Sequence, residues 1–254
     1  MNPLGVVPVT LMLILLGSLT FKRINTPASG FEHALREKAS RIALSGIFLT
    51  TAYLLLVPPV YYALDSIMPI TNATDLISKY CALVAVAFLG GHLSVAYGSP
   101  FARRWTVGAP GTVVLGLVSA GLLWTVVATD APYSSPQMLD FATQPSVRIN
   151  TWLVLFYVAY IVLPLVRPAY LDSTKNPLRT GRMASGMIAG GFTLSLLRAG
   201  AYPVEWFGSG NVVYLYMLIS YASTALVVVG LALFAYARRN RKVKTELGSA
   251  LSLD

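Results

Sequence analysis

Residues 58–92 read P-P-V-Y-Y-A-L-D-S-I-M-P-I-T-N-A-T-D-L-I-S-K-Y-C-A-L-V-A-V-A-F-L-G-G-H. An apolar run ends here in paired prolines and a tyrosine pair. A short polar crossing follows, carrying Asp65, Asn72, Asp75 and Lys79, and a second apolar run starts at once. Two membrane-spanning helices joined by a brief connection account for this pattern. Apolar runs approaching about 20 residues are long enough to cross a hydrocarbon core of about 30 Å.

The composition extends that reading to the whole chain. Its 254 residues are 56% hydrophobic and only 11% charged, with a mean hydropathy of +0.65, against about 25% charged residues in a soluble domain. An all-α polytopic membrane protein follows, with one domain embedded in a bilayer. Seven spans are expected, at about 4–21, 42–64, 76–97, 111–129, 150–166, 183–204 and 212–237. They form a transmembrane domain over 1–237, and a short basic tail over 238–254 completes the chain. Pro58-Pro59 should break or kink the second span, and Pro164 with Pro168 should end the fifth, because each proline removes a helix donor. Pro100 and Pro110 are expected to bound a short loop. Ser29 and Glu32 have the spacing of a capping box, so an interfacial helix carrying a solvated His33 should lead into the second span. No Lys or Arg precedes the first apolar run, and a cleavable signal peptide is not expected.

The net charge of +9 resolves into topology. Of the 19 basic residues, all but Lys79, Arg148 and Arg198 fall in alternate loops or the tail: at 22–41, 103–104, 167–182 and 238–244. The positive-inside rule then places the N-terminus outside and the C-terminus in the cytoplasm of a plasma-membrane protein, which an odd number of spans satisfies. Attraction to anionic membrane lipid adds to this, and nucleic acid is not needed to explain the charge. Cys81 is the single cysteine, without a spacing partner, so neither a disulfide nor a metal site is expected.

Few residues in the spans carry chemistry. Arg198 is an intramembrane charge, costly unless it faces a partner or a cavity. Either it snorkels to the interface, or it pairs with an acid at the outer end, Asp65 or Asp75 ahead of Asp140 or Glu205. His92 lies beside Gly90-Gly91, where another helix can approach; its imidazole either bonds across that contact or handles a proton or substrate. Gly186-x-x-x-Gly190 has the spacing of a close-packing seam through which two copies could associate. The tyrosines and tryptophans suit an interfacial belt or packing. No lysine occupies the last span, which excludes a retinal protein, and no Walker A, G-x-S-x-G or H-E-x-x-H motif occurs.

At Pro59, Tyr61, Asp65, Asn72 and Leu76, and again at Leu178, Arg179 and Gly181, the chain resembles an actinobacterial family of multi-pass membrane proteins described as transporters. Members of that family continue into a cytoplasmic domain after the seventh span, where this chain has only its basic tail. The resemblance implies a small-molecule transporter without a cofactor. Polar residues at one depth, Asp65, Asn72, Asp75 and Arg198, with Tyr61 beside them, are expected to line an outward-facing pocket for a hydrophobic or amphipathic compound. His92, the remaining candidate for substrate contact, lies near the inner end of the third span and is not expected to share a site with Arg198. Two other readings stand beside it. A membrane-embedded prenyl or terpene cyclase would use Asp65, Asp75 or Glu205 as the protonating acid, and a seven-span sensor would need an output region. Asp65 and Asn72 also suit plain helix caps.

Overall fold

A computed structural model describes residues 14, 16–18, 33–205 and 213–250, with side chains at 14, 16–18, 42–204, 215 and 218–236. The expected first span lies outside these residues except for 14 and 16–18, which are helical. All regular structure in the described residues is helical: α1 (His33–Leu55), α2 (Pro58–Asp65), α3 (Ala73–Ala96), α4 (Pro100–Val107), α5 (Ala109–Val127), a 3-10 turn (Pro136–Phe141), α6 (Pro145–Lys175), α7 (Arg179–Glu205) and α8 (Val213–Ala250). The basic segment 238–250, expected as a separate tail, continues α8.

Among the described residues, four stretches are long and apolar enough to cross a membrane: α3, α4 with α5, α6, and Leu218–Tyr236 within α8. The apolar part of α1 and α2 make a fifth when counted together, bent by 84° at the break between them. Large side chains on the outer faces, among them Leu117, Trp124, Leu163, Leu197 and Leu218, are more than half exposed. Apolar surface this extensive belongs against lipid. The sixth expected span, α7, is long enough but does not pass by composition, because glycines, serines and Arg198 dilute its apolarity. It packs between α6 and α8 instead, and a helix covered by neighbours needs little lipid-facing surface.

The interior has three apolar clusters in sequence along the bundle. Leu93, Ala102, Leu165, Ile188, Phe192 and Val227 tie α3, α4, α6, α7 and α8 together at one end. Leu83, Leu122, Tyr157 and Ile161 fill the middle between α3, α5 and α6. Val126, Met138, Phe141 and Val147 seat the 3-10 turn on the other end, beside α2. Gly90 fits its expected role: a Cβ there would lie 2.4 Å from Ile161 Cγ2.

Three local expectations are corrected. The segment between Pro100 and Pro110 is the helix α4, started by Ser99, whose hydroxyl accepts from the Ala102 N–H at 3.3 Å. Pro164 and Pro168 do not end the fifth span; both lie inside α6, which runs on to Lys175. Pro164 leaves the Tyr160 carbonyl without its helical donor, and the Trp105 indole N–H takes its place at 3.1 Å. The Tyr160 hydroxyl donates to the Trp105 carbonyl at 3.1 Å in return, and the two rings stack 5.1 Å apart. The close seam of α7 is also displaced by one residue. Added Cβ atoms at Gly186 and Gly190 would meet neighbours only at 3.8 and 4.0 Å, whereas at Gly191 one would lie 2.8 Å from the Ser223 carbonyl oxygen of α8.

Candidate functional site

Polar side chains gather at the α2 end of the bundle because the crossing between α2 and α3 folds against the connection between α5 and α6. Asp65, the last residue of α2, is 4% exposed. Its Oδ2 accepts from the Asn72 N–H at 2.8 Å and the Ser134 hydroxyl at 2.5 Å, and its Oδ1 accepts from the Thr74 N–H at 3.0 Å. The carboxylate thus caps α3 across the crossing, where free N–H groups and the helix dipole favour a negative charge. Asn72 stands in the left-handed conformation (φ 64°, ψ 21°) and does not cap with its own side chain. Its Oδ1 accepts from the Tyr61 hydroxyl and the Ser135 N–H, both at 2.7 Å. The same hydroxyl lies 3.2 Å from the Ser135 carbonyl. Tyr61, Asp65 and Asn72 form a clasp that joins two connections.

Asp75 lies in the first turn of α3, next to Thr74, whose N–H bonds Asp65, and is fully buried. Its Oδ2 is 2.5 Å from Lys79 Nζ. The ammonium bridges onward to Asn150 Oδ1 of α6, also at 2.5 Å. The Asn150 amide donates to Thr125 Oγ1 of α5 at 2.7 Å and faces the Leu122 carbonyl at 3.4 Å. Asn150 and Thr125 are themselves wholly buried. Asp75 Oδ1 has no hydrogen-bond partner. A buried charge is costly unless paired and fully hydrogen-bonded, so an oxygen left over in a buried ion pair is a feature that packing does not explain.

The expected site residues therefore separate. Tyr61, Asp65, Asn72 and Asp75 come together, while the others lie elsewhere. Arg198 of α7 does not pair with Asp65 or Asp75, whose partners are those just given. Its guanidinium lies over the Tyr202 ring, 5.0 Å from the centroid, a cation–π contact. His92 is half-buried near the far end of α3, next to the tightly packed Gly90 and Gly91. Glu205 ends α7, and its side chain lies outside the described residues.

Asn150 and Thr125 were missed from sequence because one Asn at the head of an apolar run and one Thr inside another carry no motif. A second polar cluster went unread as well. At the end of the bundle opposite α2, Asp172 accepts from Ser185 and, at 3.2 and 3.3 Å, from the Asn176 amide. A Cβ on Gly181 would lie 2.6 Å from Asn176 Oδ1, so the glycine of the Leu178-Arg179-x-Gly181 stretch makes room for this cluster. No family model, curated protein or solved structure matches the chain.

Proposed function

We propose that the chain is a seven-span plasma-membrane carrier of small molecules, with its N-terminus outside and its working site at Asp75, Lys79 and Asn150. The observation that carries this reading is the buried Asp75–Lys79 pair with one carboxylate oxygen unpartnered. Ionisable residues kept inside a membrane bundle mark ion or substrate pathways by default. Basic residues in alternate loops support the orientation, which places the α2 end on the outer side. The resemblance to actinobacterial multi-pass proteins described as transporters agrees with it. Membrane lipid surrounds the bundle, and exposed Gly186 offers a face for a second copy.

The clasp of Tyr61, Asp65 and Asn72 holds the outer connections in place beside this site and is assigned no cargo contact. A cyclase is less well supported, since its protonating acid should face an apolar substrate cavity, whereas Asp75 faces a lysine.

The reading is tested in liposomes containing the purified protein and loaded with labelled amphipathic compounds that are neutral, cationic or anionic. Saturable, protein-dependent efflux of at least one compound is expected, with loss in Asp75→Ala. No saturable flux across the set removes the carrier reading. Conversion of a linear polyprene to a cyclic product would install the cyclase instead.

A further inference from the structure

We infer that the Asp75 site takes a cation, specifically the ammonium group of an amphipathic amine, and that Lys79 is a tethered stand-in for it. This rests on the reading of Asp75 and Asn150 as the working site, and it names the chemical class that site accepts.

Two acceptor oxygens bear on one position, and a third acceptor on the same carboxylate is buried without a partner. Asp75 Oδ2 and Asn150 Oδ1 both hold Lys79 Nζ at 2.5 Å, and the second oxygen of the same carboxylate, Asp75 Oδ1, has no partner. An ammonium carries three donors and no acceptor, so it matches this set. The nearby donors point away: the Asn150 amide goes to Thr125 and Leu122, and the Thr125 hydroxyl donates to the Leu122 carbonyl at 2.9 Å. A carboxylate or phosphate entering in place of the Lys79 ammonium would meet the Asp75 carboxylate and the Asn150 amide oxygen, both acceptors.

The two charges also differ in freedom. Asp75 is fixed in the interior, while the Lys79 side chain retains 14% exposure on a flexible stem. When Lys79 swings out, the Asp75 carboxylate loses its cation, and an unpaired buried charge is strongly unfavourable. The site then selects whatever cation replaces the lysine. Leu76 and Leu83 flank the pair on α3, and Leu122 and Val126 flank Thr125 on α5, so the body of the entering molecule meets apolar side chains.

Three probes with the same tail separate charge from greasiness: hexylammonium, hexanoate and hexanol, each followed by the melting temperature of the full chain in detergent. Saturating hexylammonium should raise the wild-type Tm by about 5 °C, the size expected from ligand linkage for a chain of this length, and the other two should not. In Lys79→Met the half-maximal concentration should fall by at least about tenfold, because a tethered competitor acts at effective concentrations in the millimolar range. The double variant Asp75→Asn/Lys79→Met removes both charges together, which keeps it foldable even where a single variant fails, and it should show no shift. Hexanol matching hexylammonium, or an undiminished shift in the double variant, overturns the inference. Hexylammonium binding without liposome flux leaves the ammonium site standing and removes the carrier. Saturable flux of neutral or anionic compounds that hexylammonium does not inhibit does the reverse.

Discussion

Asn72 shows how much one side chain can settle. Its backbone sits at φ 64°, a conformation that costs most residues about 1–2 kcal/mol but that asparagine and glycine adopt readily. Its amide oxygen also satisfies the Tyr61 hydroxyl and the Ser135 N–H. Asn72→Ala gives up both contributions and should cost roughly 3 kcal/mol or more. Asn72→Gly keeps the backbone and should recover about 1 kcal/mol of that loss. Unfolding in detergent with increasing denaturant measures both, and equal losses would mean that the left-handed backbone contributes nothing. Asp65 and Asn72 stand out in the sequence as polar residues between two apolar runs. Their partners do not, because Ser134 stands 69 residues beyond Asp65 and Ser135 stands 63 beyond Asn72, and only folding brings them near. Neither does the ammonium pairing of Asn150, which depends on α6 facing α3.

Prolines and glycines govern the elements, and their neighbours decide the outcome. Pro58-Pro59 begin α2 at the first turn, where a missing N–H is tolerated, and the chain bends there as the sequence suggests. Pro164 also removes a donor but ends nothing, since Trp105 supplies one from another helix. The prediction is a coupled pair. Trp105→Phe keeps the ring stack and loses the indole N–H, and should cost about 1–2 kcal/mol in the wild type. In a Pro164→Ala background the restored Ala N–H bonds the Tyr160 carbonyl, so the same change should cost close to nothing. Additive melting shifts would separate the two residues. The glycines of α7 divide in the same way. Gly191→Ala should destabilise by about 1–3 kcal/mol through its clash with α8, whereas Gly186→Ala, at an exposed helical position, should stabilise by about 0.5–1 kcal/mol. Sequence spacing singled out Gly186 and Gly190. Which glycine faces the neighbouring helix depends on the rotation of α7, and spacing does not fix it.

For the whole molecule, orientation is the prediction that single-cysteine labelling can check. In a Cys81→Ala background, Ser173→Cys and Ser249→Cys should resist an impermeant thiol reagent in intact cells and react once the membrane is opened. Labelling from outside would overturn the proposed topology. The sequence alone determined that the chain is helical and made for a membrane, because a low charge content and apolar runs of spanning length leave few other structures possible. It located the polar stretch between two apolar helices and placed six of the expected spans where helices stand. However, α3 already begins at Ala73, so Asp75 and Lys79 belong to the helix and not to the crossing. Only the tertiary structure decided that α7 packs between two neighbours, that Arg198 lies over Tyr202 and away from Asp65 and Asp75, and that Asp75 faces Lys79 and Asn150. Span length and hydropathy are properties of one segment and can be read along the chain. A buried polar contact is a property of two or three segments and their rotation about their own axes, so it exists only once the helices have packed.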